Sequence, residues 1–420
     1  MKLIPLKRGY RTPFVRVGKE FARLNVVDLS ARLINGMLEK QDVPAEKIQH
    51  VVWGMVVPDP NIYSIAREAV LASKLDHRVE GYSVSRACAT SLQAAANAAA
   101  FYNAFPEEPT AALVGGVESF STARPVVTDK LSDMAKRLAS KAPPLTKLAA
   151  VLATPPWAYL PVPPRATEYS TGLTMGEHCE LMVKAFKITR ERQDRFALAS
   201  HQHAAQARDK IAPQIIPVEG AKKDAFIRDN SSMEALAALP TAFDKSPAGT
   251  LTAGNSSPFT DGAAALYVLS PALEGQVRPD AWMADFEFVA VEPMDGLLMG
   301  PGKAMLRILE RNRLRWDNFD YIEMHEAFAG QVLCNVDAVN SPQHRQKLYG
   351  ISYDAGRLDE TRLNPWGSSV AYGHPFGATG ARMLNQTIAY LQATGGTRAL
   401  IGICTAGALA GAALITSQRS

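Results

Sequence analysis

Two parts of this 420-residue chain follow one plan at one spacing, and that repetition limits the fold more than any other feature. GYSVSRA at 81–87 reads as a strand running into a turn, and an Ala-rich helical run extends from Cys88 to about Asn103. The strand AALVGG follows at 111–116. Near the other end, SSVAYGH at 368–374 reads as strand and turn. Gly377 to about Thr394 reads as a helix ended by Gly395 and Gly396, and RALIGIC at 398–404 as a strand. Cys88 precedes Gly115 by 27 residues, and Gly377 precedes Cys404 by the same 27. The match predicts an internal duplication with two similar α/β halves. Strand–helix–strand alternation predicts buried, mainly parallel sheets between helix layers. A chain of this length suits two or three domains rather than one core.

Asn25 to Lys40 carries apolar residues at helical spacing, and QHVVWGMVV at 49–57 is a candidate buried strand. The middle of the chain differs. Residues 121–165 hold seven Lys and Arg against two Asp, a net of +5, while the whole chain carries +4. Leu131, Leu138, Leu145, Leu148, Leu152, Trp157 and Tyr159 are interleaved with those charges, and Pro143-Pro144 and Pro155-Pro156 interrupt any long helix. Ile188 to about Lys210 reads as an amphipathic helix. Residues 121–245 therefore read as an insertion. LTAGNSSPFTDGAAALYVLS at 251–270 returns to the first half as Gly-rich turn, helix and strand. The expected halves are 1–120 plus 246–272, and 273–420.

Apolar residues make up 47% and charged residues 20%, ordinary for a globular protein, and a net +4 gives no footprint for nucleic acid. Four irregularly spaced cysteines without a CxxC pair argue against a zinc site. The N-terminus lacks the apolar core of a signal peptide, and no run approaches the ~20 apolar residues of a membrane span. A reducing cytoplasm with free thiols is the expectation.

Four reactive side chains sit among small residues that let backbone approach a ligand. They are Cys88 in SRACATS, His325 in HEAFAGQ, His374 in AYGHPFGATG and Cys404 in GICTAGALAG. Cys88 opens a helix, where amide donors and the dipole favour a thiolate. His374 lies in a turn, free to face a cleft and act near neutrality. His325 and Cys404 end predicted strands, where α/β sheets place ligand contacts. Cys88 and Cys404 alone fit packed core residues as well, and His374 alone fits a surface or hydrogen-bonded structural histidine. Together they point to Cys-based acyl chemistry with a general base. Cys179 and Cys334 fall inside helical patterns and read as core.

RTPF, SRACATS, GGVES at 115–119, TMGEHCE at 174–180, TAGNSSPFTDGAAA at 252–265, HEAFA, AYGHPFGATGARM and the late Cys404 loop resemble the signatures of the thiolases, over nearly the whole chain. YSVSRACATS, His325 before Glu-Ala-Phe-Ala and PVPPRATEYSTGL are most similar to the β-subunits of fatty-acid-oxidation trifunctional complexes. The resemblance implies a thiolase fold, two βαβ-rich halves in an αβαβα stack, and thiolytic cleavage of 3-oxoacyl-CoA in β-oxidation. It implies Cys88 as acylated nucleophile, His374 as base, Cys404 as second acid/base, and His325 as oxyanion donor where most thiolases hold a water on Asn. It also implies backbone donors at Cys88 and Ala406, and a pantetheine path lined by Met175, Ala253, Ser257, Ala327 and Phe328. CoA would be a substrate, with no metal or cofactor. The expected partners are a second copy of the chain, a hydratase/3-hydroxyacyl-CoA dehydrogenase subunit and, through 126–165, a membrane surface. A short-chain acetoacetyl-CoA thiolase, a degenerate acyl-CoA binder and an unrelated Cys–His hydrolase are the rival readings. The run after Cys404 departs from the family's Gly-rich pattern at Ala406 and Ala408. Gly302 stands where Ala is usual.

Overall fold

The structure, a computed structural model, describes residues 2–162 and 167–419. It divides into two compact units, Met1–Thr122 with Glu168–Ser420, and Ala123–Thr167.

The larger unit is built on ten strands: β1 (Ile4–Arg11), β2 (Val15–Arg16), β3 (Ile48–Gly54), β4 (Glu80–Ser83), β5 (Ala111–Glu118), β6 (Thr260–Leu269), β7 (Ala281–Ala290), β8 (Tyr321–Met324), β9 (Arg398–Thr405) and β10 (Leu409–Thr416). Nine run in the order β4-β3-β5-β6-β1-β7-β10-β9-β8, and β2 pairs with β6. The two ends mirror each other. In each, a helix leads into a strand that pairs in parallel with an earlier one, β5 with β3 and β9 with β8. An antiparallel return follows, β6 on β5 and β10 on β9. Antiparallel β1–β7 pairing joins the halves.

Side chains alternate along a strand, so each buried strand feeds two cores. Ala112 and Val114 of β5 and Ile401 and Ile403 of β9 face one shared core. Leu113 of β5 faces a core with the helix Val26–Lys40, while Leu400 and Cys404 of β9 face one with the helices Gly300–Asn312 and Ala329–Asn340. The result is five layers, helix–sheet–helix–sheet–helix. The middle layer holds the helices Thr90–Ala104 and Thr379–Thr394. With sheet on both sides, both are buried nearly all round: the first is Ala-rich, and the second also buries Arg382, Asn385 and Gln386.

Three expectations are corrected. Antiparallel pairs outnumber parallel ones, because only the strand–helix–strand crossovers and β3–β4 give parallel neighbours. SSVAYGH forms a short helix, Ser369–Tyr372, rather than a strand, because Ser368 and Ser369 carbonyls accept the amides of Tyr372 and Gly373. Residues 251–259 form no helix; from Thr260 the chain runs straight into β6, paired with both β5 and β1.

The segment read as one insertion, 121–245, divides. The helices Met175–Ala185 and Arg190–Gln206 belong to the larger unit. Cys179, Met182 and Val183 pack with Val332 and Leu333, and the buried Glu180 carboxylate accepts the amides of Thr250 and Leu251. The smaller unit holds two short helices, Asp129–Ala139, capped by the Thr128 hydroxyl, and Pro144–Ala153. Pro143 and Pro144 separate them, as their missing donors require. Residues 163–166, which include Arg165 and the start of PPRATEYSTGL, lie outside the described residues.

The two middle-layer helices meet without a spacer. A Cβ on Gly380 would lie 2.6 Å from the Leu92 amide nitrogen, and the Ala381 amide donates to Ser91 Oγ at 2.8 Å. Gly→Ala inside a helix ordinarily gains ~0.5–1 kcal/mol. Gly380→Ala should instead cost ~1–3 kcal/mol from overpacking, read as a lower urea midpoint, while Gly275→Ala, which faces open space, should leave the midpoint in place.

Candidate active site

Cys88 sits at the tip of a turn. The amides of Ala89 and Thr90 donate to the carbonyls of Arg86 and Ala87, and the Thr90 hydroxyl ties the turn at both ends, accepting from the Arg86 amide and donating to Ala87. Ala87 has φ +42°, a left-handed conformation that costs a non-glycine residue ~1–2 kcal/mol. The helix begins at Thr90, just beyond the thiol. Of the four free thiols, Cys88 alone keeps partial exposure.

His374 follows Gly373 at φ +97°, where a Cβ would lie 2.3 Å from the Thr260 methyl. The His374 amide donates to the Pro258 carbonyl at 2.9 Å. The loop beyond it is pressed onto the sheet: a Cβ on Gly116 would meet the Gly377 carbonyl oxygen at 2.1 Å. The fully buried Glu118 carboxylate accepts the amides of Val56, Val57 and Gly377. His325 continues β8, its amide donating to the Gly402 carbonyl at 2.8 Å. Cys404, on the neighbouring β9, is buried beside the Ala327 amide.

These elements converge. Cys88 Sγ and one nitrogen each of His325 and His374 lie within 4.8 Å of one another. The two imidazole centroids are 4.3 Å apart. Each Nδ1 is engaged, His374 with Thr379 Oγ1 at 2.7 Å and His325 with Ser369 Oγ at 2.9 Å. Each Nε2 is buried without a partner. Burial pushes the Cys88 thiol up to about 12, opposed by an Ala406 amide that points at it. Burial, with nearby Cys88 adding, holds Cys404 well above the ordinary thiol range. Burial, then the Arg382 charge, lowers His374 to about 3. Burial, His374 and Arg382 lower His325 well below the ordinary range. Burial thus favours the uncharged form of each of the four groups.

Ala406 keeps negative φ, so its amide donor survives, and the left-handed position falls at Ala408, φ +56°. The Ser257 amide donates to the Ala327 carbonyl at 2.9 Å, and Phe328 bridges to Ser256. Met175 begins a helix capped by Thr174, and Ala253 is exposed on the loop before Ser257. Sequence reading gave no role to Glu118, Glu323, Ser369, Thr379 or Arg382. The signal was charge inside otherwise apolar runs, Glu118 in ALVGGVES and Arg382 in GATGARM, where a lone charge needs a buried partner.

Cys88, His325 and His374 form the one cluster of metal-ligand type found among the described residues. Their spacing would admit a soft divalent ion if both Nε2 atoms were free of protons.

The family model described as "Thiolase, N-terminal domain" matches residues 6–272, and that for "Thiolase, C-terminal domain" matches residues 277–417. The chain belongs to the thiolase family. It is 39% identical to a 3-ketoacyl-CoA thiolase of Klebsiella pneumoniae and 38% identical to one of Escherichia coli, each match covering 99% of this chain and 97% of the relative. Among solved structures, a Bacillus anthracis acetyl-CoA acetyltransferase superposes with a TM-score of 0.81 at 26% identity, over 99% of both chains. Human mitochondrial 3-ketoacyl-CoA thiolase in complex with CoA superposes at 0.82 and 23% identity, over 100% of this chain and 98% of that one, and shares the fold.

A His374 pKa pushed down to about 3 means the folded protein keeps this imidazole neutral where a free one, near 6.5, would charge. Its ring-proton NMR shift should stay constant from roughly pH 8 to pH 5. A midpoint near 6.5 would show that water or a counter-charge reaches the ring.

Proposed function

We propose that this protein cleaves 3-oxoacyl-CoA with CoA, giving acetyl-CoA and a shortened acyl-CoA, in fatty-acid β-oxidation. The observation that carries this reading is the partly exposed Cys88 beside two buried, unpartnered imidazole nitrogens and a second thiol, in a chain 38–39% identical to 3-ketoacyl-CoA thiolases.

His374 Nε2 takes the Cys88 proton as sulfur attacks the 3-oxo carbon. The Cα–Cβ bond breaks, and its electron pair becomes the enolate of acetyl-CoA. Cys404, held protonated by burial, gives its proton to that carbon. His325 and protonated His374 donate to the enolate oxygen, and the Cys88 and Ala406 amides donate to the acyl-enzyme carbonyl. CoA then enters, its thiol proton passing to the Cys404 thiolate, and the acyl group leaves Cys88, which recovers its proton from His374. Two acid/base groups are needed because the two protons move at different atoms. The chemistry calls for no metal or redox cofactor; CoA is a substrate. Met175, Ala253, Ser257, Ala327 and Phe328 would line its pantetheine path. The pairing of 256–257 with 327–328, beside Cys404, supports that.

Incubation with acetyl-CoA, acid quench and peptide mass analysis should place the acyl mass on Cys88. Cys404→Ser should retain that acylation while thiolysis falls ~10²–10⁴-fold, and His374→Ala should lose both. An acyl mass elsewhere, or equal acylation in both variants, would sink these roles. Turnover of acetoacetyl-CoA with little or none of long-chain 3-oxoacyl-CoA would favour the short-chain reading instead.

A hydratase/3-hydroxyacyl-CoA dehydrogenase subunit, which oxidises a 3-hydroxyacyl-CoA to this substrate, is the partner the activity calls for. A second copy of the chain fits the free edge of β4, where Tyr82 is exposed. The unit 123–167 suits shallow contact with anionic lipid. Its helix Pro144–Ala153 exposes Leu145, Leu148 and Leu152 at helical spacing, with Leu145 80% and Leu152 77% accessible. Lys130 lies over the Trp157 ring at 4.7 Å, and Lys136 and Arg137 end the preceding helix. No helix among the described residues is long and apolar enough to cross a membrane. Co-sedimentation with anionic vesicles should fall as salt rises and when Lys136, Arg137, Lys141 and Lys147 become Gln, each basic residue contributing ~1 kcal/mol. Indifference to anionic vesicles at low salt would end the membrane reading.

A further inference from the structure

The two imidazoles of the site are adjacent and nearly equally buried, yet the proposed reaction asks opposite things of them. One must begin with a lone pair facing Cys88, the other with an N–H facing a developing anion. A neutral imidazole can offer either at Nε2, and its choice follows from what Nδ1 does.

The partners of each Nδ1 differ in a decisive way. Ser369 Oγ lies 2.9 Å from His325 Nδ1 and also accepts from Arg382 Nη2 at 3.1 Å. Arg382 has only donors, so that bond occupies a lone pair of the hydroxyl and leaves its proton free. Among the described residues, His325 Nδ1 is the hydrogen-bond acceptor that this hydroxyl reaches. The neighbouring hydroxyl is already committed: Ser368 donates to Glu323 Oε1 at 2.7 Å while it accepts from Arg382 at 3.0 Å. The Arg382 guanidinium is fixed in turn by its buried ion pair with Glu323, itself held by the Tyr321 hydroxyl at 2.6 Å. At the other ring, Thr379 Oγ1 donates to the Pro375 carbonyl at 3.2 Å and so accepts from His374 Nδ1.

We propose that Arg382, acting through the Ser369 hydroxyl, fixes His325 with its proton on Nε2, while Thr379 fixes His374 with its proton on Nδ1. His325 is then a standing donor toward the oxyanion and His374 a standing acceptor for the Cys88 proton, before any substrate arrives. Arg382, Ser369 and Thr379 are positioning residues, because they act through the rings. The same wiring turns a Cys–His–His cluster away from metal binding, since a protonated Nε2 has no lone pair to offer. The assignment of roles rests on the thiolase reading above; the tautomers themselves do not.

The test uses the full-length protein with ¹⁵N-histidine. Long-range ¹H–¹⁵N correlation spectra read the tautomer of each ring without any turnover. Signals are assigned from His325→Asn and His374→Asn. The expected result is Nε2–H on His325 and Nδ1–H on His374, with the His325 pattern lost or mixed in Ser369→Ala and kept in Ser369→Thr. Thiolysis by Ser369→Ala should fall ~10–100-fold in kcat with KM nearly unchanged, the usual effect of removing an outer partner of a site histidine. Ser369→Thr should recover most of it. Alkylation of Cys88 by iodoacetamide, which needs His374 but no oxyanion donor, should keep its wild-type rate in both. Nδ1–H on His325 in the wild-type spectrum, or a Ser369→Ala variant that loses kcat and Cys88 alkylation together, overturns the proposal. Failure of Cys88 to take an acyl group overturns the thiolase reading and leaves the tautomer result standing.

Discussion

The contact between the two middle-layer helices governs the rest of the larger unit. Gly380 and Leu92 approach so closely that no side chain fits between them, and Ser91 bonds across the gap to the Ala381 amide. Both residues lie in the first turn of their helices. The two preceding turns, which carry Cys88 and His374, are therefore brought to one place from residues 286 apart in sequence. Gly377 does the same work from the loop side, lying against the Val117 and Gly54 carbonyls. The site is built from two equivalent helix starts, one delivering Cys88 and the other His374.

Burying such a site has electrostatic consequences. Glu118 and Glu326 are fully buried, and burial raises both to about 7 against the amide and hydroxyl donors that favour their charged forms. Glu118 anchors the His374 loop through Gly377, and Glu326 ties Ser200, Asn364 and the Val370 amide. A folded pKa above the ordinary 4.5 means that these groups favour the folded state most at low pH and lose that contribution as pH rises through about 7. His374 runs the other way. Lowered to about 3, it favours folding above 6.5 and loses that contribution on acidification toward 3. The same burial that makes the imidazoles neutral opposes a charge on the carboxylates that hold them.

Much of this was legible in the sequence because duplication leaves a spacing and small residues leave a signature. The helix start after Cys88, the helix Val26–Lys40 and β8 ending before His325 all follow from pattern. What was not legible depends on partners distant in the chain. SSVAYGH has a strand's composition, yet Ser369 has to point at His325 and Arg382, and a helical turn puts it there. Residues 168–245 look like the continuation of an insertion, yet Glu180 and Arg192 bind residues 70 to 168 positions away. No local pattern records such pairs.

The departures from the family's usual sequence can be weighed by conformation. A Gly→Ala change is harmless where φ is negative and strained where it is positive. Ala406, whose amide faces Cys88, has negative φ and keeps its donor. Ala408 carries φ +56° beside Gly407 at +75°, in the tight turn between β9 and β10. The strain thus sits two residues from the donor, and the paired strands on either side hold the turn in place from Thr405↔Leu409 onward. His325 is the more consequential departure. An Asn holding a water would present a donor that exchanges with solvent. An imidazole with its proton fixed on Nε2 presents one that is preorganised and needs no water, in a site where both Nε2 atoms are already buried.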